Sequence, residues 1–214
     1  SFFSATEEGA FEPYIKPLKL SANAILQFFA IDSAGNHSDT LVRKYELTKV
    51  KHPCPADMLP VPLSNTQEIC MDIYEWPNTY NEKPTVFVSH AEAEAHCSKA
   101  GKRLCLKDEW QTACRGKLNT EYPYGSQYDQ NTCVTDQTTP NRSGRNSDCR
   151  SFFGHHDMSG NVWEWTGTPH EQRSSYYYVS GGNWSSSTAS TCSESKYSFF
   201  PQNQYQFVGF RCCK

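Results

Sequence analysis

A chain of 214 residues is long enough for one large or two small domains. Its net charge is −3, it has no Lys or Arg run, and 37% of its residues are hydrophobic. It therefore lacks the basic patch that nucleic acid requires and any apolar run near the roughly 20 residues of a membrane span. All ten cysteines lie between Cys54 and Cys213. Such clustering of an even number reads as disulfides formed in an oxidising compartment, and places a domain boundary near residues 48–53. Zinc is the rival use of cysteine, but no C-x2-C or C-x4-C pair exists.

Residues 1–50 read as β-structure. Leu18-Lys-Leu-Ser-Ala and Ala24-Ile-Leu-Gln-Phe-Phe-Ala-Ile-Asp are strand-like, Asp32-Ser-Ala-Gly-Asn36 is a turn, and Val42-Arg-Lys-Tyr-Glu-Leu closes the set. This stretch resembles the end of the chitobiase-C-terminal-like or bacterial Ig-like modules of surface proteins. It holds too few strands for a complete sandwich, so a partial β-sandwich spacer is expected. The chain opens on Ser1-Phe2-Phe3 without Met, which reads as a processed product whose leader is missing. A lost N-terminal lipid anchor would be its one link to a membrane.

From residue 51 to 214 the pattern changes. Cys54 to Trp76 contains an alternating stretch that suggests the first strand of a sheet. Ser89 and Glu92 form a capping box that opens an Ala-rich helix over about 90–100, stopped by Gly101. A second helix is expected from Lys107 to Cys114, ended by Gly116, with Leu106 in the weak position for its cap. Beyond Gly116 no clear period emerges, and mostly loop is expected. Long irregular segments of this kind need staples.

Asp157-Met-Ser-Gly-Asn161-Val-Trp-Glu164-Trp165, then Gly181-Gly-Asn-Trp184, then Gly209-Phe-Arg-Cys212 follow in order. With the helix pair around Cys97 and Cys114 and the turn Tyr122-Pro-Tyr-Gly125, this series resembles the formylglycine-generating enzyme, or sulfatase-modifying factor, family. The resemblance spans about residues 54–213. It implies an α+β, C-type-lectin-like fold, irregular and disulfide-rich. Ten cysteines allow hundreds of pairings. The resemblance implies Cys97–Cys212 and Cys114–Cys192, and from these Cys54–Cys70, Cys133–Cys149 and Cys105–Cys213 are inferred. Adjacent residues on a strand point to opposite faces, so Cys212 and Cys213 can both be bridged.

The same resemblance places a structural calcium at Asp157, Asn161 and Glu164 through side-chain oxygens and at Ser159 through its carbonyl. Oxygen-rich tight loops suit that hard cation, although Asp and Asn also cap turns that hold no metal. Trp163 and Trp165 either stack on a ligand or pack in the core. His155 and His156 read as a solvated pair. Where the family's oxidase carries its catalytic cysteines, this chain has Ser186 and Thr191, and hydroxyls are poor ligands for a soft metal. No copper and no oxidase activity are expected.

Between the fixed points, residues 184–207 are rich in Tyr, Phe, Ser, Asn and Gln. Paratopes use this mixture, because rigid aromatics give contact area at low entropic cost. The pattern resembles the variable segment of lectin-fold proteins diversified by retroelements. Trp184, Ser186, Tyr197, Phe199, Phe200, Tyr205 and Phe207 are therefore the expected partner-binding residues, some of them packing beneath the loop. The expectation is a non-catalytic, extracytoplasmic binding or assembly module of bacterial type, secreted, periplasmic or at the cell surface. Its partner would be a protein, with a glycan as the lesser option. The alternative is an enzyme of the sulfatase-modifying family with altered chemistry.

Overall fold

The computed structural model describes residues 2–6, 12–13, 24–45, 54–193 and 197–214, with side chains from Ile25 onward. The chain divides into two compact units, 1–51 and 52–214.

In the first unit the described strands form one antiparallel sheet in the order β2-β1-β3-β4. They are β1 (Phe2–Thr6), β2 (Glu12–Pro13), β3 (Ala24–Ala30) and β4 (Leu41–Tyr45). The turn after β3 is an Asx turn: Asp32 Oδ1 accepts the N–H groups of Ala34 at 2.8 Å and Asn36 at 2.9 Å. Gly35, at φ +87°, takes a conformation that a side chain would disfavour. The strand expected at 18–22 lies outside the described residues.

Among its described residues the second unit contains two four-stranded sheets and two helices. β5 (Met58–Pro62) and β6 (Glu68–Asp72) form a hairpin, tied to the segment before it by Cys54–Cys70. The last strand, β12 (Cys212–Cys213), inserts antiparallel between β6 and β7 (Arg103–Leu104). It carries bridges to both sides: Cys212 to Cys97 on helix α1 (His90–Lys99), and Cys213 to Cys105 just after β7. Cys114 on helix α2 (Lys107–Arg115) joins Cys192, and Cys133 joins Cys149. Five bridges are compatible with an extracytoplasmic setting. No helix among the described residues is long and apolar enough to cross a membrane.

The other sheet runs β10-β9-β8-β11, from β8 (Trp163–Pro169), β9 (Tyr177–Ser180), β10 (Ser198–Phe199) and β11 (Val208–Phe210). The sequence pattern predicts mostly loop here, and the structure has strands. The reason is burial: Trp163 to Thr166 are buried on both faces, so no in–out alternation marks the strand. Trp165, Val179 and Phe210 form one core cluster with Cys97 and Cys212, and Met71, Trp110 and Met158 form another with Cys114 and Cys213. Cys97–Cys212, Cys105–Cys213 and Cys114–Cys192 thus run through the apolar centres.

The helix starts differ. At α1 the Ser89 Oγ accepts from Glu92 N–H at 3.3 Å, while Glu92 Oε2 accepts from Ser89 N–H at 2.7 Å. Both free donors at this end are satisfied from within the helix. Replacing Ser89 with Ala is expected to cost about 1 kcal/mol, read from the urea midpoint. At α2 Leu106 offers no acceptor, and Thr168 Oγ1 on β8 accepts from Lys107 N–H at 3.0 Å instead. A residue distant in sequence supplies the missing cap.

Candidate functional site

Two regions bear on function: the buried polar centre beneath the 155–164 loop, and the aromatic rim formed by 184–207.

The 155–164 loop folds tightly because Asp157, Gly160 and Asn161 all adopt positive φ, at +58°, +77° and +55°. Asp and Asn tolerate this conformation better than most residues. At Gly160 a Cβ would stand 2.2 Å from the Val134 carbonyl, so only glycine fits that crossing. The loop turns its polar groups inward. Asp157 Oδ2 accepts from Gly144 N–H at 2.6 Å. The Asn161 amide donates to both oxygens of Glu75, at 2.8 and 3.0 Å, and its Oδ1 accepts from Asn141 N–H at 2.8 Å. Glu164 is held by Arg211, with Nε to Oε2 at 2.7 Å and Nη2 to Oε1 at 2.6 Å, and by Trp110 Nε1 at 2.8 Å.

The calcium expectation concerns these same residues. Both Glu164 oxygens accept hydrogen bonds, from a guanidinium and an indole, and the carboxylate neutralises Arg211. The Asn161 side chain and one Asp157 oxygen face protein partners, and Ser159 Oγ donates to the Ser190 carbonyl. Among the described residues, no group of three or more His, Cys, Asp or Glu is arranged to hold a metal ion. As placed, the side chains of Asp157, Asn161 and Glu164 form a hydrogen-bonded polar core.

Three carboxyl groups, Glu75, Asp157 and Glu164, share this interior with one guanidinium. Burial first, then the charges of Asp157 and Glu164, push the Glu75 carboxyl well above the usual carboxylate range. Burial also lifts Asp157 to about 7, against the Gly144 N–H and the Arg211 charge. Both shifts favour the neutral acid beside the single Arg211–Glu164 ion pair. His155, read above as half of a solvated pair, is fully buried. Burial, then the Arg211 charge, holds its pKa down to about 3.

The signs of these two shifts oppose each other. For Asp157 the folded state keeps its proton while the unfolded chain releases it near 3.8, so that contribution is lost as pH rises from about 4 to 7. For His155 the unfolded chain gains a proton below 6.5 and the folded state does not, so stability is lost as pH falls from 6.5 towards 3. Urea midpoints between pH 4 and 7 should therefore tilt upward with pH in Asp157→Asn, relative to the native chain, and downward in His155→Gln. Parallel profiles for all three proteins would contradict this account.

Trp163 and Trp165 are both buried, and core packing is their role. The hydroxyls at the expected cysteine positions are engaged locally. Ser186 Oγ donates to Asn183 Oδ1 at 3.0 Å, and Thr191 Oγ1 lies 3.3 Å from Ser193 Oγ. All ten cysteines are in disulfides.

The rim residues divide. Phe199, Tyr205 and Phe207 are half-buried against the β8–β11 core and against one another, with the Phe199 and Tyr205 rings 4.9 Å apart. Trp184 and Ser186 are half-buried. Tyr197 and Phe200 are exposed, at 38% and 37%. The structure adds Phe87, which sequence reasoning missed. Its N–H donates to the Tyr205 carbonyl at 3.0 Å, it holds φ +57°, and 59% of it is exposed. A bulky residue in left-handed backbone is an outlier, and such strain tends to gather where a surface is used. Nothing in Thr85-Val-Phe87 announces that backbone, and nothing local marks Glu75 as a partner of the 155–164 loop.

Residues 45–214 match the family described as the sulfatase-modifying factor enzyme 1-like domain. The inactive C-alpha-formylglycine-generating enzyme 2 of Bos taurus is 27% identical over 150 residues, covering 61% of this chain and 50% of that protein. The formylglycine-generating enzyme of Mycobacterium tuberculosis is 32% identical over 106 residues, covering 42% of this chain and 36% of that protein. The chain thus spans about half the length of the bovine relative. Among solved structures, the U1 variant of the major tropism determinant matches with a TM-score of 0.56 at 14% identity, covering 100% of this chain and 71% of that one. At such identity the likeness is one of fold, and that fold is C-type-lectin-like.

Proposed function

The chain belongs to the sulfatase-modifying factor family, and from that premise we propose that it is a non-catalytic binding module which grips a protein partner through an aromatic rim. The observation that carries the reading is the exposure of Phe87, Tyr197 and Phe200 above a layer of packed aromatics. Anchors on a rigid layer lose little entropy on binding, and aromatic side chains dominate such interfaces. The disulfides provide the rigidity. The family's oxidase chemistry would need two thiolates, and Ser186 and Thr191 stand where the resemblance puts them. The bovine relative is itself named as inactive. In this proposal the module acts outside the cytoplasm, and the N-terminal β-unit serves as an Ig-like spacer.

The test uses the full chain, immobilised, with surface and periplasmic extracts of its source and cross-linking before capture. Changing Phe87, Tyr197 and Phe200 together to Ala is expected to lower recovery of the cross-linked partner at least tenfold while leaving the urea midpoint nearly unchanged. Undiminished recovery would remove this face from consideration. Conversion of a peptidyl cysteine by the native chain would replace the reading with the enzymatic one.

A further inference from the structure

A concave feature adjoins the backbone of Trp184 and Ser186, and none of its lining residues belongs to the aromatic rim. Residues 130–146 curl around a cleft of about 410 Å³, and every residue lining it comes from that one segment. The volume falls within the roughly 300–1,000 Å³ typical of small-molecule sites. Its lining departs from the usual apolar character. Gln130, Asn131, Gln137, Asn141 and Asn146 contribute five carboxamides, Thr139 adds a hydroxyl, and no Asp, Glu, Lys, Arg or His lines it.

The cleft is held open by structure on both sides. Cys133 is bridged to Cys149, and Val134 pairs with Gly160. Before it, Asp129 N–H donates to Tyr124 Oη at 3.2 Å, and Tyr128 Oη donates to Asp136 Oδ2 at 2.8 Å. After it, Gln137 N–H donates to the Trp184 carbonyl at 2.7 Å and Asn141 N–H to Asn161 Oδ1 at 2.8 Å. Asn141 Nδ2 reaches Asn146 Oδ1 at 3.1 Å, which orients two of the amides. A ligand would meet walls already in place, so little ordering entropy opposes binding.

We propose that this cleft binds a neutral carbohydrate of one or two sugar units. The carboxamides of Gln130 and Asn131 and the Gln137 Oε1 offer donors and acceptors, the combination that a sugar hydroxyl needs because it both gives and takes a hydrogen bond. Asn141 and Asn146 bond each other, the Arg142 N–H and the Thr132 carbonyl, and so shape the wall. The lack of lining charge disfavours phosphorylated, sulfated or carboxylated ligands, whose desolvation nothing in the cleft would offset. The polar walls likewise disfavour an apolar ligand.

The experiment probes the full chain against an array of neutral hexose and N-acetylhexosamine oligosaccharides beside sialylated and sulfated ones. Titration calorimetry with the best neutral saccharide follows. The native chain should retain neutral glycans over acidic ones. Gln130→Ala combined with Asn131→Ala should weaken binding at least tenfold without moving the melting temperature, since both residues are exposed. The rim variant at Phe87, Tyr197 and Phe200 should keep full glycan affinity, which separates this site from the protein-binding face. No retained glycan, a preference for acidic glycans, undiminished binding by the cleft variant, or loss in the rim variant would each overturn the assignment.

Discussion

Removing both bridges of the C-terminal strand, Cys97–Cys212 and Cys105–Cys213, is expected to unfold the second unit, and the two losses should exceed the sum of the single ones. The bridges close segments of 115 and 108 residues and end on adjacent cysteines. While either is intact, the other constrains only a short residual loop, worth about 3 kcal/mol in the chain-entropy account. Once one is gone, the remaining bridge alone closes the long loop and is worth about 5 kcal/mol. Domains of this kind have roughly 5–15 kcal/mol in total, so one removal is tolerable and two are not. All four cysteines are buried, and Ala replacements avoid both an unpaired thiol and a buried hydroxyl. Urea unfolding followed by tryptophan fluorescence, on the native chain, each pair variant and the quadruple variant, gives the comparison. Strictly additive losses would show that the two bridges do not share one loop.

Arg211→Ala should cost about 3–5 kcal/mol, the range for breaking a buried pair from one side. Arg211 sits between β11 and β12, at the point where the chain passes from one sheet to the other. Its guanidinium grips Glu164 on β8 and also donates to the carbonyls of His156 at 2.9 Å and Asp72 at 3.3 Å. It therefore ties both sheets to the 155–164 loop. Its side chain is fully buried and that of Glu164 nearly so, and the Ala variant strands the Glu164 carboxylate without its counter-ion. Lysine restores the charge but not the planar fork, and should recover only part of the loss. Combining Arg211→Met with Glu164→Gln should be less harmful than Arg211→Ala alone, because no full charge is then left unpaired. A double variant worse than the single one would mean that the carboxylate has another partner of equal strength, such as a bound cation.

The legible parts of the fold were local. Ser89 and Glu92 announce α1 because a cap and its reciprocal partner lie three residues apart. The helix expected over 90–100 runs from His90 to Lys99, and that expected over 107–114 runs from Lys107 to Arg115. The staples implied by clustered cysteines were readable for the same reason, whereas the one strand expected between Cys54 and Trp76 is a hairpin of two, β5 and β6. Thr168 as the cap of α2 was not readable, since its acceptor lies 61 residues from the donor. Nor was β8, whose burial on both faces erases the alternation that marks a strand.

The candidate site divides along the same line. The motif around Asp157 showed oxygen-bearing residues close in sequence, which two different arrangements can use: a cation cage or a hydrogen-bonded core. Glu75 meets Asn161 from 86 residues away and Arg211 meets Glu164 from 47, and these long-range partners build the hydrogen-bonded core. Phe87 joins the aromatic rim through a backbone angle that no residue type encodes. Composition, caps and cysteine clustering thus determined a stapled, polar type of domain and the ends of its helices, because those depend on neighbours in the chain. Which carboxylate is neutralised, which aromatics stay exposed and which amides converge on a cleft were decided only in three dimensions. Burial and long-range partners set the cost of each charge and the freedom of each ring, and neither is a property of a local stretch of sequence.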